Sequence, residues 1–296
     1  MWILYCIGLI FILVCFPFIR YSLFHPITTC RNGFADIYDY IKHKRYNECK
    51  AYGRIFMYTA SGSQAFGSGK TLSMVRWLRQ TYRRYNDVDV WDEETKSFVK
   101  QRIIIISNIE LKDVPTIPFR GKDQFINIDK LEHTEHDIVI FVIDEAGMVF
   151  NSRQYKDNLP PVFLTRLLQV RHNKIAFCMT SQRFGMTDKI LRQTCETVTT
   201  CKKIWRIVRL QEYDAYALEN CSNPQMIVPY STRYYFATNS LYNSYDTTYN
   251  VEQLMDEYNG GELLSTSEIL EKVGESGENP ELVQNRLRRA YRGRRR

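Results

Sequence analysis

Gly67-Ser68-Gly69-Lys70-Thr71 follows the apolar run Ile55-Phe56-Met57-Tyr58-Thr59, and it opens a stretch of helical character that continues to about Arg84. A strand, a glycine-rich turn and a helix in that order form a cradle for phosphate. The glycines let backbone N–H groups converge on phosphate oxygens, and the helix N-terminus adds favourable partial charge. Lys70 would reach the terminal phosphates of a bound nucleotide, and the Thr71 hydroxyl would ligate its metal ion. Gly67, Ser68, Gly69, Lys70 and Thr71 are therefore the candidate nucleotide-binding residues. The motif usually begins with a glycine where this chain has Gln64. Either Gln64 is held left-handed, at about 1–2 kcal/mol, or Gly62 takes the turn instead.

Further along, Ile138-Val139-Ile140-Phe141-Val142-Ile143 runs straight into Asp144-Glu145. An unbroken apolar strand ending in two acids is the second half of an ATP site. Asp144 would hold Mg²⁺, and Glu145 would take a proton from the attacking water. A third apolar run, residues 174–180, ends in Ser181-Gln182, where Gln182 is suited to sense the terminal phosphate and orient water. Arg171, Arg192 and Arg166, in that order, are candidates for an arginine finger that reaches a neighbouring subunit's nucleotide.

Runs at 55–59, 103–107, 138–143 and 174–180 are continuous rather than alternating, as in parallel strands buried on both faces. Helical stretches are expected at 146–155, 161–172 and 187–195, a charged hairpin within 88–102, and one edge strand over 204–210. This alternation predicts an α/β fold with a mainly parallel sheet.

Outside that core, residues 2–19 carry no charge, and Arg20 ends the run. Eighteen helical residues span about 27 Å, close to a bilayer's hydrocarbon thickness. Lysines and arginines follow the run and none precedes it, so the expected topology is one N-terminal transmembrane helix, N-terminus outside and body in the cytoplasm. Phe34, Ile37, Tyr38 and Ile41 then recur at helical spacing. That amphipathic helix is expected to pack on the domain, with the membrane surface as the alternative.

The net charge of +7 is misleading. The last eleven residues hold seven arginines, and removing those seven from 40 basic residues leaves 33 against 33 acids. A polyanionic partner is thus argued from the tail and from how the remaining charges cluster on the surface; for the tail, single-stranded DNA, anionic lipid and a merely solvated role compete. Eight cysteines include no CxxC pair, so reduced, buried thiols are expected. The expected divisions are 1–24 anchor, 25–53 juxtamembrane connector, 54–247 ATPase domain, and 248–296 short helices, linker and tail.

The order of these motifs resembles the zonular occludens toxin-like (Zot) assembly ATPases of filamentous phages, within the FtsK/HerA class. Besides the loop and Asp144-Glu145-Ala146, the resemblance rests on Ser107-Asn108, Asn151-Ser152-Arg153, Arg171-His172, Ser181-Gln182 and Tyr245-Asp246-Thr247. It implies a RecA-like P-loop core, a homo-oligomeric ring, ATP and Mg²⁺ as ligands, and handling of single-stranded phage DNA at the host inner membrane with coat or export proteins nearby. Gln64 and the N-terminal position of the span depart from the familiar members, so extracellular toxin activity is not carried over. Two other functions compete with a DNA motor: a nucleotide-gated assembly scaffold that hydrolyses weakly, and a small-molecule kinase, which the acidic pair and the span fit less well.

Overall fold

The computed structural model describes residues 16–246, apart from 63, 120, 129–130, 132, 151–160 and 224–225. Most of the apolar run, Asn151-Ser152-Arg153, Thr247 and the whole C-terminal segment with its arginine tail lie outside the described residues. Among the described residues, no helix is long and apolar enough to cross a membrane.

Eight strands form the central sheet in the order β11-β10-β9-β1-β8-β7-β4-β6. They are β1 (Ile55–Ala60), β4 (Ile103–Ser107), β6 (Ile117–Pro118), β7 (Ile138–Ile143), β8 (Ile175–Ser181), β9 (Thr197–Ile204), β10 (Ile207–Asp214) and β11 (Ser231–Phe236). From β6 to β9 every pairing is parallel, whereas β10 and β11 return antiparallel. The expected α/β fold with a mostly parallel sheet is what forms. Every residue of β7 and β8 is buried, because the sheet is covered on both faces. On one side Leu72, Met74, Val75 and Leu78 of helix α3 (Lys70–Tyr85) pack on Tyr58, Ile140, Val142 and Cys178. On the other, Phe163 and Leu167 of α6 (Pro161–Leu168) pack with Met57, Phe141 and Phe177.

The expected charged hairpin is present as β2 (Val88–Asp92) and β3 (Ser97–Gln101). A two-residue strand, β5 (Glu110–Leu111), and a short helix, α4 (Lys122–Ile126), lie between β4 and β7. Helix α5 (Ala146–Val149) has four described residues, α6 ends at Leu168, and α7 (Lys189–Thr194) is followed after β10 by α8 (Ala215–Asn220) and after β11 by α9 (Asn239–Tyr242). Helix α6 stops short of the expected His172 because the chain must turn back into β8. Ile175 N–H donates to Val170 O at 2.8 Å, and Lys174 takes a left-handed φ of 49°.

Two expectations fail outright. The single edge strand over 204–210 is instead the tip of a hairpin, with Trp205-Arg206 turning β9 into β10. A Trp-Arg pair carries none of the Asn, Gly or Pro signals of a tight turn. The amphipathic helix does form, as α2 (Pro26–Lys42) after α1 (Pro17–Phe24), but it does not pack on the domain. Not one of its residues is buried, and Phe34, Ile37, Tyr38 and Ile41 are all exposed. Its end is tied locally, His43 Nδ1 and Arg45 Nε both 2.6 Å from the Asp39 carboxylate, and meets the body through Arg45 pairing with Glu93 and the His43 ring stacked on Trp91.

The described cysteines are all free, and Cys49, Cys178, Cys195 and Cys201 are buried as expected, whereas Cys30 is exposed and Cys221 half-buried. Burial pushes the Cys195 and Cys201 thiols up to about 12, which makes them inert.

Candidate active site

All the predicted catalytic side chains except Arg171 gather at the carboxyl ends of three adjacent parallel strands, β1, β8 and β7. That is where open parallel sheets accept ligands.

The loop after β1 turns at Gly62, Gly67 and Gly69, which have φ of 63°, 66° and 89°. Gln64 is not in the left-handed region, so its side chain adds no strain there. Its amide instead donates to Lys203 O in β9 at 3.4 Å. A methyl group at Gly62 or Gly67 would meet nothing within 4 Å, so the mouth of the loop is open. At Gly69 a methyl would make ordinary contact with Val208 of β10 at 3.4 Å, so it is the φ of 89° that favours glycine there. Within the loop, Ser68 Oγ is buried with no hydrogen-bond partner. A buried orphan hydroxyl in a glycine-rich loop at a helix start fits an absent oxyanion such as phosphate.

Lys70 is itself buried, and its ammonium spans the loop, donating to Ala65 O and to Gln182 Oε1, both at 3.0 Å. The Gln182 amide nitrogen continues the chain to Glu145 Oε1 at 2.7 Å. Lys70, Gln182 and Glu145 thus form one bridge across the tips of β1, β8 and β7.

Beside the bridge, Asp144 accepts from the Thr71 hydroxyl at 2.9 Å and from the Thr180 hydroxyl at 2.5 Å. Asn108, just past β4, fixes the Asp144 backbone from both sides: its Nδ2 donates to Asp144 O at 2.9 Å, and Asp144 N–H donates to its Oδ1 at 2.8 Å. Glu145 sits at φ 52°, ψ 48°, a left-handed conformation costing about 1–2 kcal/mol for a residue with a Cβ. Its N–H is held by Thr180 Oγ1 at 2.9 Å. Strain of this kind clusters where a side chain is aimed for a task.

Both carboxyls titrate above their ordinary range. Burial is the main cause at Asp144, outweighing the Thr180 and Thr71 hydroxyls and the Lys70 charge. At Glu145 burial again comes first and the neighbouring Asp144 charge second, against Lys70 and Gln182. The donor set around Asp144 is all oxygen, as hard cations such as Mg²⁺ prefer. Among the described residues, no cluster of three His, Cys, Asp or Glu could hold a metal by itself. A cation here would need oxygens from a ligand as well.

The arginines stand apart. Arg171 lies in the turn ahead of β8, its Cβ packed against Gly53, at the amino ends of the strands. Seven strand residues at about 3.3 Å each put it roughly 20 Å from the bridge. Arg192 is committed elsewhere, gripping Glu219 with both Nε (2.8 Å) and Nη2 (3.0 Å) while Nη1 donates to Thr187 O. Arg166 sits in the last turn of α6. Two residues the sequence reading gave no role, Thr180 and Asn108, hold the acidic pair in place. Their signal is the polar pair that closes each apolar run, Ser107-Asn108 and Thr180-Ser181.

The family model for zonular occludens toxin (Zot) matches residues 65–248, from inside the phosphate loop to just past β11 and α9. The chain belongs to the Zot family. It is a Zot-like P-loop ATPase, as the motif order implied. Among solved structures, the N-terminal domain of zonular occludens toxin from Neisseria meningitidis is 19% identical, covering 65% of this chain and 99% of that chain at a TM-score of 0.43. The genome packaging NTPase B204 from Sulfolobus turreted icosahedral virus 2, solved with ATP-gammaS, is 12% identical over 62% of this chain and 98% of that chain, TM-score 0.40. No curated protein matches the chain.

Proposed function

We propose that this Zot-family chain binds ATP with Mg²⁺ at the carboxyl ends of β1, β8 and β7 and hydrolyses it to move phage DNA, single-stranded, during virion assembly. The observation that carries this reading is the Lys70–Gln182–Glu145 bridge beside the Thr71–Asp144–Thr180 group. The loop from Gly67 to Thr71 holds the phosphates, and Lys70 turns from Ala65 O and Gln182 to the terminal phosphate. Thr71 and Asp144 would hold Mg²⁺, which neutralises charge on the phosphate oxygens when bound. Glu145 accepts a proton from water as the water oxygen bonds to the γ-phosphorus and the bond to the β-phosphate oxygen breaks. Release of Gln182 from Lys70 frees its amide to orient that water, so hydrolysis waits for a terminal phosphate.

The uncharged run at 2–19 anchors the chain in the host inner membrane with the ATPase domain, residues 54–247, in the cytoplasm. Helix α2, amphipathic and wholly unburied, is consistent with the membrane surface beside that anchor. A ring of copies is the expected working form. Within one chain Arg171 and the nucleotide lie at opposite ends of the sheet, so Arg171 serves as a finger only if a neighbour presents it.

The scaffold alternative drew on Gln64, and the loop accommodates Gln64 without left-handed strain. The two functions separate on ATP turnover by the purified full chain with and without single-stranded DNA. A DNA motor accelerates when DNA is added, and Lys70→Ala abolishes both rates. A weak rate indifferent to DNA favours the scaffold.

A further inference from the structure

Among the described residues, the outer three strands of the sheet leave much of one face exposed, and its composition is specific. The register sets Lys202, Arg209 and Tyr234 side by side in one row across β9, β10 and β11. The next row is Ile204, Ile207 and Phe236, and the row below is Thr200, Gln211 and Thr232. Side chains alternate between faces along a strand, so Glu212 and Asp214 point to the opposite face, where Glu212 pairs with Arg233. These three rows therefore hold two cations and no carboxylate.

The aromatic residues on this face are exposed where a packed sheet would bury them. Tyr234 is 66% exposed and Phe236 53%. They are two apart on β11, so their rings stand about 7 Å from each other along one edge. At the hairpin tip, Trp205 is 74% exposed and lies edge-on to Phe236, ring centroids 5.8 Å apart. It holds this position at φ 54°, which a bulky side chain rarely adopts. Among the described residues neither the exposed Lys202 nor the half-buried Arg209 makes an ion pair, and the Arg209 Nε is buried without a hydrogen-bond partner.

We propose that this face is the platform on which a single-stranded polynucleotide lies. Unpaired bases stack on Tyr234, Phe236 and Trp205, and the phosphates run along Lys202 and Arg209, the combination by which sheets hold single strands without reading sequence. A duplex hides the base faces that these rings would contact. The inference rests on the DNA reading above and adds the site. It also brings the strand next to the chemistry. The other face of the same hairpin touches the phosphate loop, through Lys203 O to Gln64 and through Val208 beside Gly69. A strand that shifts the hairpin therefore shifts the loop.

The test is the affinity of the purified full chain for a labelled oligothymidylate, read by fluorescence anisotropy at several salt concentrations. Tyr234→Ala and Phe236→Ala should each weaken binding about tenfold, and Tyr234→Trp should hold it near the wild-type value. Replacing Lys202 and Arg209 together by Gln should flatten the log–log salt slope by about 1.4. Circular dichroism melts confirm that these exposed substitutions leave the fold intact. Unchanged affinity in the Tyr234→Ala, Phe236→Ala double variant, with binding lost when residues 286–296 are deleted, would overturn this site and leave the DNA reading standing on the tail. Failure of the full chain to bind any oligothymidylate would remove both. Unchanged affinity, with the double variant breaking an oligomer in sedimentation, would overturn the platform and make the face an interface between copies.

Discussion

Strand β7 carries an aspartate just beyond each end, and the two are treated in opposite ways. Asp137, before the strand, is buried and saturated with donors. It accepts from Arg102 Nε at 3.1 Å and Nη2 at 2.6 Å, and from the N–H groups of Arg102 and Thr134 at 3.2 and 2.7 Å. Burial pushes its carboxyl up, but the Arg102 hydrogen bonds, the Thr134 donors and the Arg102 charge together bring it below the ordinary range. Asp144, after the strand, is as buried but meets two hydroxyls and no cationic hydrogen bond, and its carboxyl stays above the ordinary range. One end has its countercharge built in. The other has the Lys70 charge nearby but no cation bonded to it, and burial still dominates, a cost to stability that a bound metal would return. The same sheet thus separates a stabilising end from a working end, and Arg171 belongs to the first.

Substitutions can break this contrast. The largest effect is expected from Asp144→Asn, which should lower Mg²⁺-dependent ATP turnover about 10³-fold. The same change should leave the fold as stable or firmer, because a desolvated charge is removed. Asp137→Asn should leave turnover per folded molecule unchanged. If both variants lost activity equally, the two ends would not differ as described. Next is Arg102→Ala, which strands a buried carboxylate and should destabilise the protein by about 2 kcal/mol in urea titration.

Proton linkage sharpens the comparison further. Asp137 has a lowered folded-state pKa, so its contribution is present above the ordinary aspartate value and is lost as pH falls through the folded one. Asp144 and Glu145 have raised folded-state values, so their effect runs the other way. Between the ordinary and the raised values the folded protein retains protons that the unfolded chain releases, and stability falls as pH rises. Mg²⁺ needs the ionised carboxylate. Calorimetric Mg²⁺ affinity in the presence of ATP should therefore rise with pH across that window, by at most about tenfold per unit for one carboxyl. The smallest effect concerns strain. Glu145→Gly should stabilise the protein by about 1 kcal/mol, since glycine adopts the left-handed conformation freely, while turnover is lost. A Tm that falls would deny that Glu145 is strained.

What the sequence made legible follows the same division. The apolar strands and the motifs at their carboxyl ends are local signals, and Lys70, Thr71, Asp144, Glu145 and Gln182 do converge. Gln64 left two loops open, and only the fold decides that Gly62 takes the turn. Thr180 and Asn108 act through neighbours 36 residues away in sequence, Asp144 in each case, which no spacing rule displays. Arg171 precedes β8 and so lies at its amino end, where only a neighbouring copy's nucleotide is within its reach, and sequence order does not display the neighbour. The β9–β10 hairpin looks like one strand in the sequence because Trp205 makes its turn without a turn residue. Helix α2 had a legible apolar stripe, but a stripe does not name what covers it.

The claim that the carboxyl end of the sheet is hydrolytic is tested most directly by Glu145→Gln in the full chain, with ATP affinity and single-turnover hydrolysis measured on the same preparation. Lys70, the loop and Asp144 are untouched, so ATP should bind within about twofold of wild type, while hydrolysis falls on the order of 10³-fold because an amide cannot take the proton from water. Hydrolysis at the wild-type rate would contradict the assignment of Glu145, and with it the distinction between the two ends of the sheet.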